Sequence, residues 1–115
     1  MTSNPIDAAV FADLQASTDA EFVVELLDAF LADAPVLLST LRTSQAAGDA
    51  ATFRRTAHSL KSNGNAFGAL EFGALARELE ETGLVALADQ AESKLQVLED
   101  AYATAASALR VLCHG

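Results

Sequence analysis

Residues 88–112, ADQAESKLQVLEDAYATAASALRVL, decide the fold because their apolar residues recur at alternating spacings of three and four. The positions of this repeat are Ala88, Ala91, Leu95, Leu98, Tyr102, Ala105, Leu109 and Leu112. This spacing places one side chain per turn on the same helix face over about seven turns. Such a stripe either packs helices of one chain together or forms a dimeric coiled coil. Other amphipathic segments in the same short chain favour an intramolecular helical bundle.

Two predicted helices precede this stretch, and glycines mark their ends. The nearer helix ends at Gly83 and has an apolar face of Phe72, Leu75, Ala76 and Leu79. We interpret the acidic residues beside that face, Glu78, Glu80 and Glu81, as solvated. The other helix begins at the N-cap Asp49 and stops at Gly68. Its apolar face consists of Phe53, Ala57, Leu60, Gly64 and Phe67.

A longer helix is predicted from a capping box at residues 18–21, with Thr18 as N-cap, to Ala47, just before Gly48. Its apolar stripe is Phe22, Leu26, Phe30, Ala34, Leu37 and Leu41. The stripe keeps one phase across Pro35, so we expect a single helix bent at Pro35 rather than two helices.

A short opening helix completes the pattern, with Asn4 as N-cap, Pro5 in the first helical position and Asp7 in the third. No alternation of period two indicates a strand. We therefore predict an all-α fold and a single domain over residues 1–115. The expected architecture is an antiparallel up-down four-helix bundle with a short extra N-terminal helix.

Composition restricts the kind of partner and the compartment. Sixteen acidic and seven basic residues give a net charge of -9, which argues against binding to nucleic acid or to an anionic membrane. Protein partners and a monomeric chain are expected. The single cysteine, Cys113, excludes an internal disulfide, and no signal peptide or membrane span is apparent, so we predict a cytoplasmic protein.

His58 is the residue most suited to chemistry. On a helical wheel it lies about 140° from the apolar face of its helix, so it should point to solvent. The residues that share its face are Ala51, Arg54, Arg55, Lys61, Ser62 and Asn65. Residues 50–70 contain three of the seven basic residues and no Asp or Glu. An exposed imidazole in cationic surroundings can attack and hold a phosphoryl group.

The sequence offers no source of that phosphoryl group within the chain. Neither GxxxxGK[ST] nor GxGxxG occurs, so the donor would be another protein. Metal chemistry is not indicated either, because Glu-x-x-His pairs are absent and two histidines 56 residues apart with one cysteine make no zinc pattern.

The segment AHSLKS at residues 57–62, with Gly68 ten residues after His58 and Ala69 next, resembles the signature of histidine-containing phosphotransfer (HPt) domains. The segments FLADAP at 30–35, GD at 48–49 and LE at 79–80 resemble the same family. The similarity covers essentially the whole chain. Two positions depart from the family pattern: Ser62 stands where glycine is frequent, and Gly64 where many members have Ser or Ala.

This resemblance implies that His58 accepts a phosphoryl group on Nε2 from the aspartyl phosphate of a response-regulator receiver domain and passes it to another receiver. Lys61 would stabilise the phosphoryl oxygens. The candidate docking residues for the partner are Arg54, Arg55, Ser62 and Asn65. Gly64 and Gly68 are expected to be structural.

The resemblance also implies a phosphoryl carrier without ATP-dependent kinase activity of its own. The expected partners are receiver domains and a hybrid sensor histidine kinase. No cofactor is expected on this chain, and Mg²⁺ would belong to the partner receiver. Two alternatives remain: an adaptor that binds receivers without transfer, and the phosphotransfer domain of a larger sensor kinase. A chain that begins at Met1 favours a free-standing protein.

Overall fold

The computed structural model describes residues 5–114, with side chains as far as Cys113. The helices are α1 (Ala8–Ser17), α2 (Ala20–Ala47), α3 (Ala50–Ala66), α4 (Leu70–Thr82), α5 (Leu84–Leu87) and α6 (Ala91–His114), with a 3-10 turn at Ala88–Gln90. The described residues contain no strand, which confirms the all-α prediction. None of their helices is long and apolar enough to cross a membrane.

The four long helices surround one apolar core. Helix α3 contacts α2 and α4, and α6 contacts the same two helices, so the four form a closed cycle. The short helix α1 lies against α2 and α3. The core contains the predicted apolar face of α3, which is buried throughout: Phe53, Ala57, Leu60, Gly64 and Phe67. Because that face is buried, the opposite face of α3 is turned to solvent.

The first helix begins later than predicted. Asp7, and not a residue before it, is the N-cap of α1, because its side chain accepts hydrogen bonds from the backbone N–H groups of Ala9 and Val10. The Asp7 N–H donates to the carbonyl of Gly68 at 2.7 Å, which holds Asp7 outside the helix. Pro5 therefore precedes the helix, contrary to the prediction, and the predicted cap Asn4 lies outside the described residues.

Asp19 caps α2, so the prediction of Thr18 was wrong by one residue. The Asp19 carboxylate accepts from the Phe22 N–H at 2.8 Å. The helix continues through Pro35, as predicted, and ends at Gly48, whose φ of 71° is left-handed. The Tyr102 hydroxyl on α6 donates to the Leu31 carbonyl at 3.4 Å, and this is the carbonyl to which Pro35 cannot donate.

The buried face of α2 is rotated from the predicted stripe. It consists of Val23, Leu27, Phe30, Ala34, Leu38, Leu41 and Ser44. Phe22 is exposed, and Leu26 and Leu37 are only partly buried. The reason is that apolar residues lie on both sides of the shared positions Phe30, Ala34 and Leu41, and packing against α3 and α6 selects the side that includes Val23, Leu27 and Leu38.

The last helix starts three residues after the first position of its predicted stripe, and a short helix that was not predicted precedes it. Leu84 and Leu87 belong to the separate short helix α5 and are buried against the core. Ala88 has a φ of 49°, which no α-helix can accommodate, so α6 starts only at Ala91. At the other end Leu112 is half exposed, so the packing seam ends before it.

Helix α3 approaches α4 closely at Gly64. A Cβ atom at this position would lie 2.6 Å from Cδ2 of the Phe72 ring. Phe72 cannot easily move, because its ring packs against Phe30 and Tyr102, with centroid distances of 6.3 and 6.0 Å. The close approach agrees with the structural role expected for Gly64.

We expect Gly64→Ala to destabilise the fold by about 1 kcal/mol. Better helix propensity contributes about 1 kcal/mol in favour of alanine, and overpacking costs about 1–3 kcal/mol. The measurement is urea unfolding, with Ser62→Ala on the exposed face of α3 as the control. In a Phe72→Leu background the cost of Gly64→Ala should shrink. A Gly64→Ala variant as stable as the control would contradict the packing argument.

Candidate functional site

His58 lies in the middle of α3 and faces solvent. Its neighbours Ala57 and Leu60 are fully buried, so they fix the rotation of the helix about its axis. The His58 side chain is 57% exposed, as the helical wheel predicts. The ring is therefore accessible to a partner, while the helix that carries it is held by the core.

Glu80 on α4 orients the His58 ring. Its Oε2 lies 2.7 Å from Nδ1 of His58. An ionised carboxylate can only accept a hydrogen bond, so Nδ1 must carry the proton in this contact. In a neutral imidazole the other nitrogen, Nε2, then has the free lone pair. The geometry thus leaves Nε2 as the ring nitrogen with an available lone pair.

Lys61 contacts the same carboxylate. Its Nζ lies 2.7 Å from Oε1 of Glu80, and its side chain is 24% exposed. Oε1 is buried and has no hydrogen-bond partner among the described residues, so its contact with Lys61 is an ion pair. The Lys61 ammonium lowers the pKa of Glu80, burial opposes that effect, and His58 lowers the pKa further. Glu80 is therefore a carboxylate at neutral pH.

Glu80 is not identified as a site residue from the sequence, because it is interpreted there as part of a solvated acidic face. The interpretation was wrong: only 20% of the Glu80 side chain is exposed. Its neighbours Glu78 and Glu81 are exposed and pair with Lys94 and Arg77. A signal did exist, since Glu80 follows the buried Ala76 by four residues and so shares its side of α4.

His58 stands between two surface grooves. One groove separates α3 from the end of α4 and from α5, and Arg54, Arg55 and Val85 contribute to its wall. The other separates α3 from α2, and Val36 and Ser62 line it. Val36 and Val85 are 64% and 85% exposed, so both grooves have an apolar edge.

Three of the four predicted docking residues lie beside His58, and the fourth does not. Arg54, Arg55 and Ser62 lie in the walls of the two grooves, near His58. Asn65 lines neither groove, because its carboxamide lies against the α4 backbone at Gly73, where an added Cβ would clash with Oδ1. Gly68 has a φ of 82°, and a Cβ there would be 2.8 Å from the Asp7 carbonyl oxygen, in agreement with a structural role.

No metal site accompanies these residues. Among the side chains of residues 5–113, no three His, Cys, Asp or Glu residues come together as a possible ligand set. The site itself offers an exposed ring nitrogen, a carboxylate that fixes the tautomer of the ring, and nearby cations.

Comparison with known proteins identifies the family. Comparison with curated protein sequences finds no match. A solved structure of histidine-containing phosphotransfer protein B (HptB) from Pseudomonas aeruginosa PAO1 is similar, with a TM-score of 0.83 and 30% sequence identity over 95% of each chain. The Hpt domain model matches residues 25–110. The chain therefore belongs to the Hpt domain family, the histidine-containing phosphotransfer domains.

Proposed function

We propose that this chain carries a phosphoryl group on Nε2 of His58 in a His-Asp phosphorelay. The observation that carries the proposal is the hydrogen bond between Nδ1 of His58 and Glu80, at a ring that is largely exposed. The hydrogen bond keeps the proton on Nδ1, and Nε2 is left free to attack.

In the transfer step the Nε2 lone pair forms a bond to phosphorus, and the bond from phosphorus to the aspartyl oxygen of the donor receiver breaks. The donor aspartate leaves as a carboxylate, and the Nδ1 proton stays in its hydrogen bond to Glu80. Reversal of this step on a second receiver returns His58 to its starting form. Lys61 stabilises the negative charge of the transferred oxygens.

The docking face proposed for the receiver surrounds His58. Exposed Val36 and Val85 supply apolar contact on either side, and Arg54, Arg55 and Ser62 supply polar contact. A phosphorylated receiver and a hybrid sensor histidine kinase are the proposed partners. Mg²⁺ is required by the receiver and not by this chain, which carries the phosphoryl group and does not draw it from ATP.

We also propose a helix arrangement, a single domain, a monomeric state and a cytoplasmic location for this chain. The closed cycle of contacts among α2, α3, α4 and α6 supports an antiparallel up-down four-helix bundle with α1 added to it. One continuous apolar core supports a single domain over residues 1–115. The single Cys113 and the acidic charge support a monomer in the reducing cytoplasm.

The direct test mixes the chain with a phosphorylated receiver domain and Mg²⁺. We expect acid-labile, base-stable phosphate to appear on the chain, and tandem mass spectrometry to locate it at His58. Receiver binding without transfer would instead support the adaptor alternative. Labelling by ATP alone would contradict the carrier assignment, because it requires a kinase activity that the proposal excludes.

A further inference from the structure

Among the three cations of α3, Arg54 stands out because it forms no ion pair and no side-chain hydrogen bond with any described residue. Four cations do form ion pairs: Arg42, Lys61, Arg77 and Lys94. Arg55, the neighbour of Arg54, donates to Thr52 Oγ1 at 3.4 Å, and that hydroxyl donates to the N-cap Asp49. Arg54 therefore has a charge available beside His58 that Lys61 and Arg55 do not share.

The guanidinium of Arg54 is placed on the α4 side of His58. Arg54 precedes His58 by one turn and lies about 40° from it on the wheel, on the same side as Lys61 at about 60°. A Cβ atom on Gly83, just after α4, would lie 3.5 Å from Nη2 of Arg54. Arg54, His58 and Glu80 line the same groove. The two cations thus stand before and after His58 along one flank of α3.

A phosphoryl group on His58 would need more positive charge than Lys61 provides. A phosphorylated side chain carries a charge of about -1.5 to -2 at neutral pH. The charge of Lys61 is already balanced by Glu80, which remains a carboxylate 2.7 Å from the ring. A planar guanidinium with several N–H donors suits the oxygens of a phosphoryl group better than an ammonium does.

We propose that Arg54 binds the oxygens of the phosphoryl group on Nε2 of His58 as a second cation beside Lys61. This inference rests on the proposed phosphorylation of His58. Arg54 forms hydrogen bonds only: the bond from phosphorus to Nε2 is made and broken as described above, and no proton leaves the guanidinium. Its effect is to stabilise the phosphorylated form and the negative charge of the transfer step.

The test compares Arg54→Gln with Arg55→Gln, which removes an equal charge from the next residue of α3. Each purified protein is phosphorylated with phosphoramidate, so that no partner is needed, and the phosphoryl group is titrated by ³¹P NMR. A nearby cation favours the dianion, so we expect Arg54→Gln to raise the pKa of the phosphoryl group by at least about 0.5. Arg55→Gln and Arg54→Lys should change this pKa less.

A second measurement follows the phosphoryl equilibrium between the chain and a receiver domain with Mg²⁺. We expect Arg54→Gln to shift it toward the receiver by about 3- to 10-fold, in line with the loss of a partly exposed charge-assisted hydrogen bond. Circular dichroism of each variant verifies the fold. An unchanged ³¹P titration in Arg54→Gln overturns the inference, even if receiver binding weakens, since Arg54 would then act in docking alone. Equal effects of both glutamine variants also overturn it.

These experiments distinguish a failure of the inference on Arg54 from a failure of the proposed function. If phosphoramidate labels His58 but no receiver does, the relay function is wrong, and the ³¹P titration still decides the role of Arg54. If neither donor labels His58, both proposals are overturned.

Discussion

His58→Gln is expected to abolish phosphoryl acceptance and to change the stability of the fold by less than about 0.5 kcal/mol. The activity is lost because the amide of glutamine has no basic nitrogen to attack phosphorus. Stability is preserved because the His58 side chain is 57% exposed. The glutamine amide can also donate to Glu80, so that the carboxylate keeps a partner.

The measurement is transfer of ³²P from a phosphorylated receiver domain, with urea unfolding of the same samples as the test of stability. The chain supplies a matched control, because it has one other histidine, His114. We expect His114→Gln to accept phosphate like the wild-type chain. Acid-labile phosphate on His58→Gln would sink the assignment of His58, and an unfolded His58→Gln variant would show that the ring has a structural role.

The position of His58 could be predicted because it depends on one helix only. The buried positions of α3 repeat at spacings of three and four, and the predicted residue Asp49 is its N-cap, so the outward direction of His58 followed from the wheel. The side chain that completes the site is on another helix. Glu80 stands between the exposed Glu78 and Glu81 in sequence. Its spacing from Ala76 indicates its side of α4, but the packing of α4 on α3 is what brings it to His58.

The errors in the helix boundaries also arise from tertiary structure. Thr18 and Asp19 are both competent N-caps, so the local sequence could not decide between them. The start of α1 depends on a hydrogen bond from Asp7 to Gly68, which is 61 residues away in the chain. Helix α5 was not predicted because its four residues are too few to show a helical period, and no glycine or proline marks the break at Ala88 that separates it from α6.

The contacts of Glu80 couple two functions of the site. The carboxylate fixes the proton on Nδ1 of His58, and it also restrains Lys61 at 2.7 Å. The proposed phosphorylation of His58 would bring a second anion to this cluster, so Lys61 would then be shared between Glu80 and the phosphoryl oxygens. Glu80 is therefore expected to favour the attack by His58 on phosphorus. It is also expected to weaken the binding of Lys61 to the phosphoryl oxygens once they are on His58. Substitutions can separate these two effects.

Glu80→Ala is expected to slow phosphoryl transfer to His58 by roughly 10- to 100-fold, while Glu80→Gln stays within about 3-fold of the wild-type rate. A hydrogen bond to a charged group contributes about 1.5–3 kcal/mol, and about 1.4 kcal/mol corresponds to a tenfold change in rate. The glutamine carbonyl can still accept the proton of Nδ1, and alanine cannot. Both variants release Lys61, so a difference between them isolates the control of the tautomer.

The rate of transfer from a phosphorylated receiver and the ¹⁵N chemical shifts of the His58 ring test this prediction together. The wild-type chain and Glu80→Gln should show the proton on Nδ1, whereas Glu80→Ala should show a mixture of the two tautomers. Glu81→Ala is the control, because Glu81 lies beside Glu80 and pairs with Arg77 on the surface. Equal rates for Glu80→Ala and Glu81→Ala, with an unchanged tautomer, would mean that Glu80 does not orient the nucleophile. Equal losses in both Glu80 variants would instead assign its role to the restraint of Lys61.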